Sequence, residues 1–337
     1  SDSPSISWRV ARGVLYTLLA AVGLFVILTR TEVGRDGIRQ QVEAGFADRY
    51  QGTLEIGRLG GTLLDDITAS DVVLRAPNGE PVARADSVVA EAEWMTLLTG
   101  RLSLQSLTFV RPRATLHRDS SGIWNVERAL QPRVASTDAS PLDLQLESVR
   151  ILQGRLITTR SGQAPSAVRD NWLFDYTRTA IDSLYLQGQV TWGPETRALT
   201  LASASFRVPT QNLHLQHAEG QVAQSEDGWS LPQLNIETAG MRLETSGTIE
   251  RVPSDSSEYS ADLQIARSRL NFTELSRLVP RLPLRDTVTV EGRVGGSPSE
   301  VVVNTLRLEH GASALELQGT VFGLPDSVDV DASVDEA

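Results

Sequence analysis

The sequence contains no cysteine, which removes disulfide scaffolds, zinc–thiolate centres and thiol catalysis together. It contains no lysine either, so all 31 basic side chains are arginine, a usage that a GC-rich coding bias explains. Aromatic residues make up only 5% of the chain, against 40% hydrophobic residues with 26 glycines and 15 prolines. That balance excludes wholesale disorder and supplies the turn chemistry of a β-rich core. Positive charge is in deficit: the formal net charge is −11 and the pI about 5.0. A nucleic-acid role, which needs a basic face to neutralise phosphates, is therefore disfavoured.

Catalytic constellations are missing as well. No nucleophile, base and oxyanion arrangement can be read from the chain, so the expectation is a protein that is not an enzyme and carries no cofactor. His214 and His217 in "NLHLQH" stand three apart, which in a strand sends them to opposite faces, and no metal site is expected. The glycines of "GRVGGS" at 292–297 lack the Lys-Ser/Thr and following helix of a phosphate loop. Asp65-Asp66 and Asp329 with Asp331 read as a solvated turn and strand face.

What is present begins with an uncharged apolar run. Residues 10–29, "VARGVLYTLLAAVGLFVILT", are interrupted only by Arg12, and with the clean stretch from Gly13 they extend about 29 Å as a helix at ~1.5 Å per residue, close to a bilayer core. Trp8 and Tyr16 suit the interface and Leu24 and Phe25 the hydrocarbon, so these four are the expected membrane anchor. A cleaved signal peptide fits less well, because "LFVILTRTEVG" offers no small-x-small site. Arginines flank the run on both sides, so the charge count leaves orientation undecided. A short tail (1–9) inside and a long exported domain outside is the expectation: a bacterial inner-membrane, single-pass protein with most of its chain in the periplasm.

After the run, residues 30–52 place Ile38, Val42, Phe46 and Tyr50 at i+4 spacing, one face of an amphipathic helix that would cap the first strands. From Thr53 onward short alternating runs are separated by turn signals. Asn78-Gly79 marks a tight hairpin, and Pro112 sets its strand at an edge or bulge. "RDSSGIWN" then reads as a tight turn with an aromatic return, making Gly122, Trp124 and Asn125 structural turn residues. "QPRVASTDASP" at 131–141 looks like a linker between a first β module (53–130) and a second (142–337). In the second, "LNFTELSRLVPRLPL" suggests a helical turn stopped by Pro280 and Pro283, and the phrase strand, glycine, strand keeps returning. The fold expected is mainly β: a transmembrane helix and an amphipathic helix, then an elongated curved antiparallel meander. Val288, Val290, Val294, Leu306, Leu308, Leu315 and Leu317 alternate with polar residues and form the expected apolar groove or packing face.

"SLQSLTFVRPRATLHRDSSGIWNVERAL", "LESVRILQGRL" and "LNFTELSRLVPRLPLRDTVTVEGRVGGSPSEVVVNTLRLEHGASALELQGTV" resemble the N-terminal region of AsmA-like and TamB-like envelope proteins, with Gly122-Ile123-Trp124-Asn125 and Leu282-Pro283-Leu284 the most telling pieces. The resemblance covers most of the chain. It implies a periplasmic β-sheet curled into a groove with an apolar interior, acting in lipid movement or envelope assembly, with membrane lipid as partner. A second function remains open: an accessory structural subunit whose anchor and β domain stabilise a large inner-membrane complex, respiratory or photosynthetic, with other inner-membrane subunits as partners.

Overall fold

The structure is a computed structural model that describes residues 32–61, 66–92, 104–133, 144–160, 178–192, 197–224, 228–251, 259–278, 286–297, 300–322 and 329–336. The apolar run at 10–29, with Trp8, Tyr16, Leu24 and Phe25, lies outside them, as do Leu282-Pro283-Leu284 and most of the 131–141 stretch. Among the described residues, no helix is long and apolar enough to cross a membrane.

The chain is mainly β. Helix α1 (Glu32–Arg49) leads into β1 (Thr53–Gly61), β2 (Asp66–Arg75), β3 (Pro81–Ala92), β4 (Leu104–Val110) and β5 (Arg113–Arg118). A short helix α2 (Asn125–Ala129) precedes β6 (Leu144–Arg160), β7 (Ala180–Trp192) and β8 (Arg197–Val208). After a 3-10 turn at Pro209–Gln211 come β9 (Leu213–Gln224), β10 (Gly228–Thr238), β11 (Arg242–Arg251) and β12 (Tyr259–Asn271). Helix α3 (Phe272–Leu278) separates these from β13 (Thr287–Ser297), β14 (Glu300–His310), β15 (Ser313–Phe322) and β16 (Asp329–Glu336). All the strands join one sheet in chain order, so it runs unbroken through both expected β modules.

Strands β4 and β5 are two halves of one interrupted strand. Ser106 stands opposite Ser148 and Arg113 opposite Arg155, the same offset along β6. Both halves also share one antiparallel register on β3, with Phe109 opposite Val88 and Ala114 opposite Ala83. The sheet is antiparallel as expected except at one place, where β6 lies parallel to β4 and β5. The physical reason is the connection. After β5 the chain makes the Asp119 turn and α2 and then pairs with residues near Tyr50, so no tight hairpin returns it antiparallel.

The interruption belongs to a crease across several strands. Asp71, Arg111, Gln153 and Ser183 all have left-handed backbones, with φ of 54°, 47°, 56° and 54°. Asp71 lies between the ladder pairs Ser70–Ser87 and Val72–Ala85; Arg111 and Gln153 lie between Val110–Leu152 and Arg113–Arg155. Each strand thus inserts one residue at about the same level, so neighbours stay in register while the face-to-face alternation changes parity. Ala69 and Val72 therefore serve the same face, as do Phe109 and Ala114, or Ile151 and Gly154. Left-handed insertions also bend the strands and raise their twist.

The recurring glycines have a steric cause. A Cβ at Gly188 would lie 2.5 Å from the Thr200 carbonyl oxygen, and one at Gly220 would lie 2.5 Å from that of Gln233. Gly247 against Asp262 and Gly292 against Thr305 are closer still. In each case the Cα of the next residue along, Leu201, Leu234, Leu263 or Leu306, also lies within 3.5 Å of that position, and at Gly220 the Leu234 Cδ1 does too. The repeat is thus a hairpin with glycine on one strand and leucine on the next.

One sheet edge is covered. Glu43 of α1 accepts a hydrogen bond from the Ile56 N–H at 2.7 Å, and Arg39 donates to the Ile56 carbonyl at 3.4 Å, so the helix replaces the strand that β1 lacks. Of the expected apolar stripe of α1, Ile38, Phe46 and Tyr50 are half-buried, the last two with ring centroids 4.9 Å apart, while Val42 is 44% exposed.

Candidate functional site

The register assembles a continuous apolar face. Reading across from β1, one row runs Leu59, Ala69, Val88, Phe109, Ile151, Leu186, Ala204, Ala218, Ile236 and Leu243. After the irregular β11–β12 step it continues through Ser268, Val290, Leu308 and Leu315. At ~4.8 Å per step the row extends roughly 62 Å. Ser268, its one hydroxyl, is 1% exposed and fully engaged: it donates to the Ala266 carbonyl at 2.7 Å and accepts from the Glu244 N–H at 3.0 Å. The bulge in β12 supplies those partners, so the row carries no unsatisfied polar group there.

All seven residues of the expected apolar face lie on this side. Val290, Leu308 and Leu315 stand side by side, Leu306 sits between Gly292 and Leu317, Val288 faces Leu270, and Val294 stands between Leu263 and Val303. Val290 is buried at 3% exposure, whereas the other six are half-buried. No second sheet packs over them among the described residues. Among the described residues, strands pack against their ladder neighbours, and the other elements on the sheet are three helices and the 3-10 turn, at β1, β3, β5, β7, β12 and β13.

Two of those helices close the lower margin. Val126 and Ala129 of α2 pack on Leu74, Ala76, Val82 and Leu116, and Ala129 is fully buried. At the start of α3 Phe272 is buried, as is Met241 before β11. Glu274 meets the Thr238 hydroxyl, which in turn accepts the Met241 N–H at 3.0 Å.

The Gly122–Asn125 return is structural in geometry. Gly122 has φ of 85°, which glycine adopts without steric cost. Asp119 accepts from the Ser121 hydroxyl at 2.6 Å and from the N–H groups of Ser121 and Ile123, and it pairs with Arg128. The Ser121 hydroxyl foremost, with those N–H groups and Arg128, holds the Asp119 carboxyl well below the usual carboxylate range. Trp124 is half-buried with the Arg118 guanidinium 5.9 Å from its ring centroid. The residue that fastens α2 is Asn125: it accepts the His117 N–H at 3.0 Å and donates to the Thr115 carbonyl at 2.9 Å. Those backbone groups lie beyond the reach of β3, so the side-chain amide stands in for a missing strand. The sequence signalled the turn but not this role, since an amide's partners depend on where β3 ends.

Among the described residues, no three His, Asp or Glu side chains come together as a metal site. An open cavity of about 520 Å³ lies at the lower end of β6 and β7, lined by Ile157, Thr158, Thr159, Arg160, Arg178, Thr179, Ala180 and Thr210. Thr158 and Thr179 hydrogen-bond each other there, which leaves no evident reacting pair. Comparison of the chain with known protein families, characterised proteins and solved structures finds no match.

Proposed function

We propose that this chain is a non-catalytic, membrane-anchored periplasmic β-groove protein of AsmA/TamB-like type that shelters the acyl chains of membrane lipid, in lipid handling or envelope assembly. The observation that carries the reading is the apolar row from Leu59 to Leu315, over which no second sheet packs among the described residues. Soluble surfaces rarely expose a contiguous apolar patch of more than a few hundred Å² unless it binds something, and this row, half-buried for most of its length with Ala204, Ala218, Ser268 and Val290 buried, runs from β1 to β15. Acyl chains suit it because the row is long and narrow and its only hydroxyl is internally satisfied. The bends at the crease would turn the two halves of each strand toward one another, the shape of a trough. The apolar run at 10–29 supplies the anchor in this reading.

The test is purification of the full chain in mild detergent followed by lipid extraction and mass spectrometry. Phospholipid retained by the chain alone supports the groove. A lipid-free chain recovered in fixed stoichiometry with a large membrane complex overturns it in favour of the structural-subunit reading.

A further inference from the structure

The opposite, polar face of the sheet is electrically uneven. On β12–β15 each named arginine meets a carboxylate: Arg293 pairs with Asp262, Arg267 with Glu309, and Arg307 with Glu309 at 2.9 Å. On β3–β6 like charges are instead neighbours. Arg84 stands directly opposite Arg113, and Arg113 directly opposite Arg155. Arg207 extends the row on β8, across Asp182, whose carboxylate is 2.9 Å from Arg155. All four arginines are exposed, and Arg113 has no ionic partner among the described residues. Like charges directly opposite across strands are destabilising, and this row sits in a chain of net charge −11. Asp182 offsets the charge at the β8 end of the row, and Arg113, with an arginine on either side, is left for an anionic counterpart.

We infer that the arginine row Arg84–Arg113–Arg155–Arg207 is a docking surface for an anionic lipid bilayer. The row spans roughly 20 Å over five strand positions at ~4.8 Å each. It is exposed and none of the four lines the cavity, which fits a surface of many phosphates better than one enclosed ligand. Arginine forks bind phosphate oxygens two at a time, and several cations near an anionic leaflet add their attractions. The inference shares with the proposed function only the location at a membrane; it does not depend on what the apolar face holds.

Because the chain has no cysteine, Thr115→Cys beside Arg113 provides a unique attachment point for an environment-sensitive fluorophore. The labelled full chain is reconstituted in nanodiscs of phosphatidylcholine alone or with phosphatidylglycerol. A blue shift confined to the anionic discs and reversed by high salt is expected, with the apparent response weakened about tenfold or more in R113E/R155E. Arg113→Glu by itself should raise the unfolding temperature, since it replaces repulsion by attraction, while weakening the response; a purely structural row would not separate the two. R113Q/R155Q guards against misfolding of the reversed pair. Identical spectra in both discs, or a shift that salt leaves intact or that survives in R113Q/R155Q, overturns the inference; identical spectra with an acidic protein copurifying point to that protein instead. Leu308→Arg should leave the disc response unchanged while abolishing retained lipid, so failure of the groove and failure of the docking surface are separately visible.

Discussion

At the scale of single residues, the side chain that ties the Asp119–Asn125 turn to the sheet is Asn125 and not the tryptophan beside it. Its amide bonds the Thr115 carbonyl and the His117 N–H, and through it α2 holds Ala129 against Val82 and Ala76. Removing it leaves two strand groups to find water at the margin of a packed cluster. Asn125→Ala is therefore expected to cost about 1–3 kcal/mol, read as a lower denaturant midpoint. Trp124→Ala should cost less, because the ring is half-buried and its arginine contact is solvated. A larger loss at Trp124 than at Asn125 would show that the ring is the true anchor. Such an outcome would restore the aromatic reading of "GIWN".

At the scale of elements, the crease decides how each strand presents its side chains. Left-handed backbones at non-glycine residues cost of order 1–2 kcal/mol, and Gln153 keeps one at φ 56° in the middle of β6. Gln153→Gly should be neutral or stabilising by up to about 1 kcal/mol, while Gln153→Val, whose branched Cβ resists that region, should lose about 2 kcal/mol. Chemical denaturation of both variants checks the pair; a valine as stable as the glycine would mean that β6 runs straight. Sequence reading takes β4 and β5 as one strand with a bulge at Pro112, but does not show that Phe109 and Ala114, out of phase in sequence, serve one face. Pro112 was the visible clue to the break. That neighbouring strands carry matching insertions, so that the sheet is creased rather than mispaired, is written in the pairing alone.

At the scale of the whole molecule, the described residues form a sheet in a single layer with one apolar side. Leu308→Arg and Leu317→Arg would place a charge at half-buried positions with no second layer above them, where a guanidinium can reach water. Both variants are expected to fold with midpoints within about 1 kcal/mol of the parent, as surface substitutions do, and to lose retained lipid. A charge in a covered core would instead be strongly destabilising, so unfolding of both would show that another layer normally closes that face.

The sequence alone determined that this is a β protein with punctuated strands, because alternation, glycine and Asn-Gly turns are local signals that each strand carries within itself. It also determined which valines and leucines of β13–β15 share a face, since between bulges the period of two is rigid. It could not decide that β6 would lie parallel to β4 and β5, that four strands would crease at one level, or that Arg84, Arg113 and Arg155 would stand shoulder to shoulder. Those outcomes depend on register between segments tens of residues apart. Register is set by how all the strands pack and bulge together, a cooperative choice that no single stretch of sequence encodes.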